Sequence, residues 1–181
     1  MKKILSLILC LLMAFSLLTA CSSNAGNESA ESAAVELDMP VVVAAIETVA
    51  PVAMAQELSP AVEGSDMFMT DLFGLDLTTV EDYYGKTTMV NVSSDVILLV
   101  KAVPGQVDAV KAALEARRNA IAASFEMYLA DQFDKANAGR IVTKGDYALL
   151  VIGGDSERVA NGELEAVYAE IDEAINSALN G

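Results

Sequence analysis

Few side chains in this sequence are suited to catalysis, because it contains no histidine and only two cysteines. The lack of histidine excludes imidazole zinc sites, Ser-His-Asp triads, Cys-His pairs and histidine pH switches. Cys10 lies within the uncharged run from Ile4 to Leu18, which we interpret as part of a leader that is removed. Cys21 is then the one cysteine predicted for the mature chain, which leaves no intramolecular disulfide.

Residues 1–21 have the layout of a secretory leader that ends at a cysteine. Lys2 and Lys3 give a positive start, and the apolar run that follows stops short of the ~20 residues needed to cross a bilayer. The junction Leu18-Thr19-Ala20-Cys21 resembles the lipobox of bacterial lipoproteins, in which the cysteine is acylated and becomes the new amino terminus. We therefore predict a leader over 1–20 and a lipid anchor at Cys21. An ordinary signal peptide with an incidental cysteine is the alternative.

The chain that follows the leader is strongly acidic. All 26 acidic residues lie beyond Cys21, so subtracting the two charges of Lys2 and Lys3 takes the net charge from −15 to −17. Such a body repels nucleic acid and anionic headgroups. We expect the partners to be the bilayer, through acylated Cys21, and an unknown protein or small molecule, with no nucleic acid. The expected location is the extracytoplasmic face of the cell membrane.

Composition divides the mature chain into two parts. Residues 21–38 are rich in Ser, Ala, Asn and Glu and have little to bury, which predicts a flexible tether spanning about 20–25 Å. Residues 39–181 are predicted to form one globular domain, since their number is typical of a single hydrophobic core.

Periodicity predicts the main elements of this domain. Asp38 and Pro40 predict the start of a helix that runs to about Ala50. Apolar runs predict strands at 87–92, 96–103, 141–143 and 147–152, the last two joined by a tight turn at 144–146. Apolar spacing predicts amphipathic helices over 107–129 and toward the carboxyl terminus, the second divided near Gly162.

The segment 58–85 is the hardest to assign. Thr78-Thr79-Val80-Glu81 matches the capping box S/T-x-x-E and predicts a short helix through VEDYY. The expected fold class is α+β, with an antiparallel four-stranded sheet and helices packed on one face as a two-layer sandwich. The expected order is α-(short α)-β-β-α-β-β-α.

Motifs that could carry chemistry are weak. Gly153-Gly154-Asp155-Ser156 could present amides to an anion, but it lacks the G-x-G-x-x-G spacing and the P-loop lysine, so a helix cap is favoured. A calcium loop through Asp155 would have Val159 in a ligand position. No S-x-x-K or G-x-S-x-G occurs. We predict no catalytic, cofactor-binding or metal-binding residues and no cofactor. Paired carboxylates for glycoside hydrolysis have no sequence signature, so that class stays open.

Aromatic residues near the ends of elements form the one candidate binding surface. It comprises Tyr83, Tyr84 and Tyr128, accompanied by Phe125 and Met127. Tyrosine gives rigid contact area with a polar tip, which suits a recognition groove. The alternative is that these rings close the edge of a small core.

Three segments of the chain resemble a family of uncharacterised lipoproteins of Gram-positive bacteria, catalogued as domain of unknown function 4358. They are VEDYYGKTTMVNVSSDVILLVKA (80–102), FEMYLADQF (125–133) and IVTKGDYALLVIGGDSE (141–157). The resemblance implies lipid anchoring and the extent of the domain. It implies no activity and no site residues.

These features together favour a membrane-anchored lipoprotein that acts as a non-catalytic binding or scaffolding module. A solute-binding lipoprotein that serves a transporter is the first alternative, although such receptors usually close two lobes around a ligand. An enzyme that acts on cell-wall polymers through carboxylates alone is the second.

Overall fold

The apolar run VILLVKA forms the centre of an antiparallel sheet. A computed structural model describes residues 36–181, and the predicted leader, Cys21 and most of the predicted tether lie outside these residues. The strands are β1 Ala55–Leu58, β2 Val80–Thr88, β3 Val96–Ala102, β4 Arg140–Lys144 and β5 Tyr147–Ile152. Their order across the sheet is β1-β2-β3-β5-β4, with every neighbouring pair antiparallel. The antiparallel α+β prediction is confirmed, but the sheet has five strands and not four.

Helices surround this sheet. They are α1 Met39–Glu47, α2 Ser65–Met67, α3 Val107–Phe125, α4 Ala130–Ala138, α5 Ser156–Ala160 and α6 Leu164–Asn180. A π-helical turn, Phe68–Leu72, continues α2, and a 3-10 turn, Leu77–Thr79, precedes β2. No helix within residues 36–181 is long and apolar enough to cross a membrane.

Both faces of the central strands are covered. Leu98 and Val100 of β3 belong to an apolar cluster with α3 and the π-helical turn, whereas Ile97 and Leu99 belong to a second cluster with α1 and α6. Successive side chains of a strand point to opposite faces, so the two clusters lie on opposite sides of the sheet. The predicted sandwich with helices on one face is therefore wrong, as is the simpler predicted order of elements. The described domain has three layers.

Local signals explain where several elements begin and end. The Asp38 side chain accepts a hydrogen bond from the Val41 amide, and Asp155 accepts from the amides of Glu157 and Arg158, so both predicted caps are confirmed. The hairpin of β4 and β5 closes at Lys144 and Tyr147 as predicted.

Other predicted elements differ from the structure. The capping-box prediction of a helix through VEDYY is wrong, because these residues belong to β2 and Asp76 instead caps the short 3-10 turn. The predicted helix over 107–129 ends at Phe125, and α4 starts anew at Ala130.

Residues Glu36 and Leu37, which precede α1, contact the sheet. Glu36 forms an ion pair with Lys101, and the Leu37 amide donates a hydrogen bond to the Tyr147 hydroxyl. These contacts tie the last residues of the predicted tether to the sheet.

Candidate functional site

A surface groove lies between the second half of α3 and the loop that joins β2 to β3. We call it the α3 groove. Its volume of about 530 Å³ falls within the ~300–1,000 Å³ typical of small-molecule sites. The apolar residues that line it are Phe68, Leu72, Met89, Val90, Ala120, Ile121, Phe125 and Tyr128. The polar residues that line it are Thr87, Thr88, Asn91, Ser93, Ser94, Asp95, Arg117 and Ser124.

The hairpin geometry explains why a groove forms here. Thr87 pairs with Val96, and the Thr88 amide donates to the Asp95 carbonyl, so the ladder ends where the loop 89–95 begins. The loop rises beside α3, whose apolar stripe continues through Ile121 to Phe125. Strand end, loop and helix therefore form three sides of one depression.

Of the eight large apolar side chains that are exposed within residues 36–181, three line this groove and three adjoin a lining residue in the chain. Leu72, Met89 and Tyr128 line it, and Met89 and Tyr128 are 57% and 64% exposed. Three other exposed apolar residues, Met67, Val92 and Met127, each directly adjoin a lining residue in the chain. Contiguous apolar patches on a protein surface commonly mark interaction sites. Methionine side chains are flexible and adapt their shape to varied partners. We call these six residues the groove rim.

Among the residues that the structure describes, Arg117 is the one basic side chain that lines the groove. Its guanidinium lies 5.4 Å from the centre of the Phe73 ring, and its Nε is buried with no hydrogen-bond partner in residues 36–181. Burial lowers the pKa of Arg117, although a guanidinium stays protonated in proteins. An unpaired buried donor costs ~1–3 kcal/mol. The Phe73 contact works against that cost, since a cation–π pair contributes ~0.5–2 kcal/mol.

The remaining basic side chains of residues 36–181 all have partners. Carboxylates pair with Lys86, Lys101, Lys111, Lys135, Arg140 and Arg158. Arg118 donates to the Gly139 carbonyl, and Lys144 donates to the Leu179 carbonyl and to Asn180. Within the described chain, Arg117 thus stands alone in lacking a hydrogen bond and an ion pair.

A buried ion pair borders the other end of the groove. Lys135 Nζ lies 2.5 Å from Asp95 Oδ1, and the two side chains are only 1% and 8% exposed. Ser93 Oγ donates to the second carboxylate oxygen at 2.7 Å, and the Tyr168 hydroxyl donates to the Lys135 carbonyl at 2.5 Å. The pair is therefore enclosed by further hydrogen bonds, which a buried charge needs.

Amide and hydroxyl groups extend this pair into a network. Lys135 Nζ and Gln132 Nε2 both donate to Ser156 Oγ, at 3.1 and 2.9 Å. The Ser94 amide and hydroxyl donate to Gln132 Oε1 at 2.9 and 3.0 Å. We call Ser93, Ser94, Asp95, Gln132, Lys135 and Ser156 the buried network. It joins the loop 89–95 to α4 and α5.

The geometry of the network suits positioning better than nucleophilic chemistry. A serine nucleophile needs an adjacent base that takes its proton. Lys135 Nζ instead donates to Ser156 and is paired with Asp95, so it holds Ser156 as an acceptor. The network thereby holds Ser93, Ser94 and Asp95 in place as one wall of the α3 groove.

The structure separates the residues of the predicted aromatic surface. Tyr83 is buried in the cluster on the α3 side, and its hydroxyl donates to Asp66 at 2.7 Å. Burial, with a smaller effect from Asp66, raises the pKa of Tyr83 to about 12. Tyr84 lies on the opposite face, and its hydroxyl donates to Glu57. Only Tyr128, with Phe125, lies at the groove, and Met127 adjoins it on the rim.

Arg117 lines the groove but was not among the site residues predicted from the sequence. Arg117 follows Leu114 by three positions and precedes Ile121 by four, so it falls on the apolar stripe of α3. A charged residue at such a position is a readable signal. The loop serines and Asp95 gave no comparable signal, because their environment depends on α4 and α5, which are distant in sequence.

The other predicted motif has a structural role. Asp155 caps α5 and Ser156 belongs to the buried network. In the described part of the chain, no three Asp, Glu, Cys or His side chains are grouped as a metal site would require.

Comparison with known proteins gives a family and nothing more specific. No curated protein and no solved structure matches the chain. The family model described as "Domain of unknown function (DUF4358)" matches residues 54–153. That range contains the whole lining of the α3 groove, whereas α1 and α6 lie outside it. Because the match covers more than half of the 181 residues, the chain belongs to this family of domains of unknown function.

Proposed function

We propose that this protein is a lipid-anchored binding module on the extracytoplasmic face of a membrane, and that it binds its ligand in the α3 groove. The observation that carries the binding role is the set of exposed apolar side chains that line or adjoin one groove, together with an arginine there that has no ion pair or hydrogen bond within residues 36–181. A protein with a net charge of −15 gains solubility elsewhere on its surface, so an apolar rim at one place indicates interaction there.

Catalysis by paired carboxylates suits this groove poorly. Such a mechanism needs two acids about 5–10 Å apart with one of them free to give up a proton. Asp95 is the one acid among the described residues that line the groove, and it is occupied by Lys135 and Ser93. These groups support a binding role over the enzyme alternative.

The volume of the groove favours a small ligand over a large protein surface. A solute-binding lipoprotein is therefore the second candidate function. In that case one domain would hold the ligand in an open groove, and no closure of two lobes would be needed.

A groove-filling variant tests the binding role. Ala120 lines the groove and is exposed, so Ala120→Trp is expected to fill it without disturbing the core. Ala116→Trp is the matched control, because Ala116 is exposed one turn earlier on α3 and does not line the groove. In native mass spectrometry of protein isolated from its own membranes, we expect a bound small molecule on the wild type and on the control, and none on Ala120→Trp. Equal occupancy of all three, or an empty wild type, would contradict the proposal.

A separate measurement tests the anchor. Mass spectrometry of the mature chain is expected to find an amino terminus at Cys21 carrying acyl chains. Each buried methylene contributes ~0.8 kcal/mol to membrane binding, so two or more chains hold the protein firmly. Cys21→Ser is expected to abolish the acylated species. An unmodified sulfhydryl at Cys21, or a leader that is still attached, would show that the protein is not anchored in this way.

A further inference from the structure

Arg117 is a positive charge with no counter-charge among residues 36–181. The chain has 26 acidic residues and 11 basic ones, so carboxylate partners for the half-buried guanidinium of Arg117 are abundant. Every other basic side chain of residues 36–181 makes an ion pair or a hydrogen bond, yet Arg117 makes neither. Arg117 is therefore a partly buried cation that has no ion pair or hydrogen bond within residues 36–181.

The surroundings of Arg117 indicate what kind of ligand group would pair with its guanidinium. Phe73 covers one face of the guanidinium, and the apolar residues Ile121 and Phe125 follow it along the groove wall. A guanidinium has five N–H donors in a planar fork, which matches the two oxygens of a carboxylate. Charge-assisted hydrogen bonds of this kind are roughly twice as strong as neutral ones.

Building on the proposed binding role, we infer that the α3 groove binds a small organic carboxylate. Its charged end pairs with Arg117, and its apolar body lies against Phe125, Tyr128 and the methionines of the groove rim. The single guanidinium balances a single negative charge. The apolar walls take the uncharged remainder, and the hydroxyls of the loop 89–95 are placed for weaker polar contacts.

Charge excludes larger anions as ligands. The chain is strongly acidic, and the described lining of the groove offers one cation, so a polyanion or an acidic peptide would meet repulsion that one ion pair cannot offset. Inorganic phosphate would leave the apolar walls wet. A carboxylate joined to an apolar chain or ring satisfies the cation and the walls together.

Octanoate is a suitable probe, with 1-octanol as its uncharged counterpart. The folded protein is labelled on its methionine methyl groups, and the two compounds and inorganic phosphate are titrated while the methyl NMR signals are followed. We expect octanoate to shift the signal of Met89, which lines the groove, and to leave that of Met39, which is buried under α1 on the other face of the sheet. We expect octanol and phosphate each to bind at least about tenfold more weakly.

Variants of two adjacent arginines separate a ligand contact from a general effect of charge. Arg117→Gln is expected to weaken octanoate binding at least about tenfold, and Arg118→Gln, with the same change in charge, less than about twofold. Arg117→Leu is expected to lose octanoate binding while its melting temperature stays level or rises. A merely structural arginine would instead lower the melting temperature when replaced.

Each remaining outcome has a definite meaning. If octanoate and octanol shift Met89 with equal affinity, or if Arg117→Gln binds octanoate as the wild type does, the carboxylate inference is overturned while binding in the groove stands. If no probe shifts Met89, the inference is likewise overturned. The binding role itself is then judged by the occupancy of the Ala120→Trp protein, which does not depend on the charge of the ligand.

Discussion

Replacement of Lys135 by methionine is expected to destabilise the fold by about 3–5 kcal/mol, because it leaves the Asp95 carboxylate buried without its counter-charge. Asp95 is only 8% exposed, so water cannot readily replace the ammonium group. Ser93 would still donate one hydrogen bond, but a neutral donor does not balance a full charge. Ser156 would also lose its bond from Nζ.

Urea unfolding followed by circular dichroism measures this loss. The matched control is Lys111→Met, which removes an exposed pair with Glu115 and is expected to cost less than about 1 kcal/mol. The double variant Lys135→Met/Asp95→Leu removes both charges and is expected to recover much of the loss, since an apolar pair of similar volume can replace a buried ion pair. Equal losses for Lys135→Met and Lys111→Met would show that the pair is not buried in solution.

This prediction also bears on the α3 groove. Asp95, Ser93 and Ser94 form one wall of the groove, and all three are held by partners on α4 or by each other. Loss of the ion pair would release that wall before the core itself unfolds. We therefore expect Lys135→Met to weaken ligand binding even under conditions where the protein remains folded.

The apolar runs of β3 and β5 predict part of the layered architecture. All six residues of YALLVI and all but one of VILLVKA are buried. A continuous apolar run is typical of a strand covered on both faces, whereas one-sided cover gives alternation. The assignment of helices to one face followed from the hairpin connections, which show that strands are antiparallel and leave the number of covered faces open.

The sequence did not predict the short edge strand β1 or the start of β2, and the reason is different. The edge strand β1 has four residues of which only Leu58 is buried, so it has no periodicity to detect. Its pairing with β2 creates the strand, and that pairing depends on tertiary contact. The segment VEDYY likewise carries a helix-like cap signal. Its tyrosines nevertheless pack into apolar clusters on opposite faces of the sheet, Tyr83 into one and Tyr84 into the other, and this burial favours a strand.

The groove was predictable only where helix periodicity reached it. Tyr128 and Phe125 were identified as candidate binding residues, and Arg117 could have been, from its place on the apolar stripe of α3. Tyr83 and Tyr84 are grouped with them in the sequence because all are aromatic residues near the ends of predicted elements. Neighbouring residues of a strand point to opposite faces, so the two tyrosines cannot share one surface.

Gly85 lies in the interior of β2. It pairs with Leu98 on one side and Leu58 on the other. A Cβ atom at this position would lie 2.3 Å from the Ile97 carbonyl oxygen and 2.8 Å from the Leu98 Cα. Both atoms belong to the backbone of β3, which neighbours on both sides hold in place. Glycine inside a strand is typical of such a close approach of another backbone.

Gly85→Ala is therefore expected to destabilise the protein by at least about 3 kcal/mol, and it is expected to leave much of it unfolded at 37 °C. The contact can be relieved only by moving β2 from β3, which breaks the central ladder of the sheet. Gly64→Ala serves as the control: its Cβ meets nothing within 4 Å, and only its φ of +79° adds strain, at a cost of about 1–2 kcal/mol. Thermal and urea unfolding of the two variants measure the difference. If Gly85→Ala proved as mild as Gly64→Ala, β2 and β3 could not approach each other as closely as this register requires.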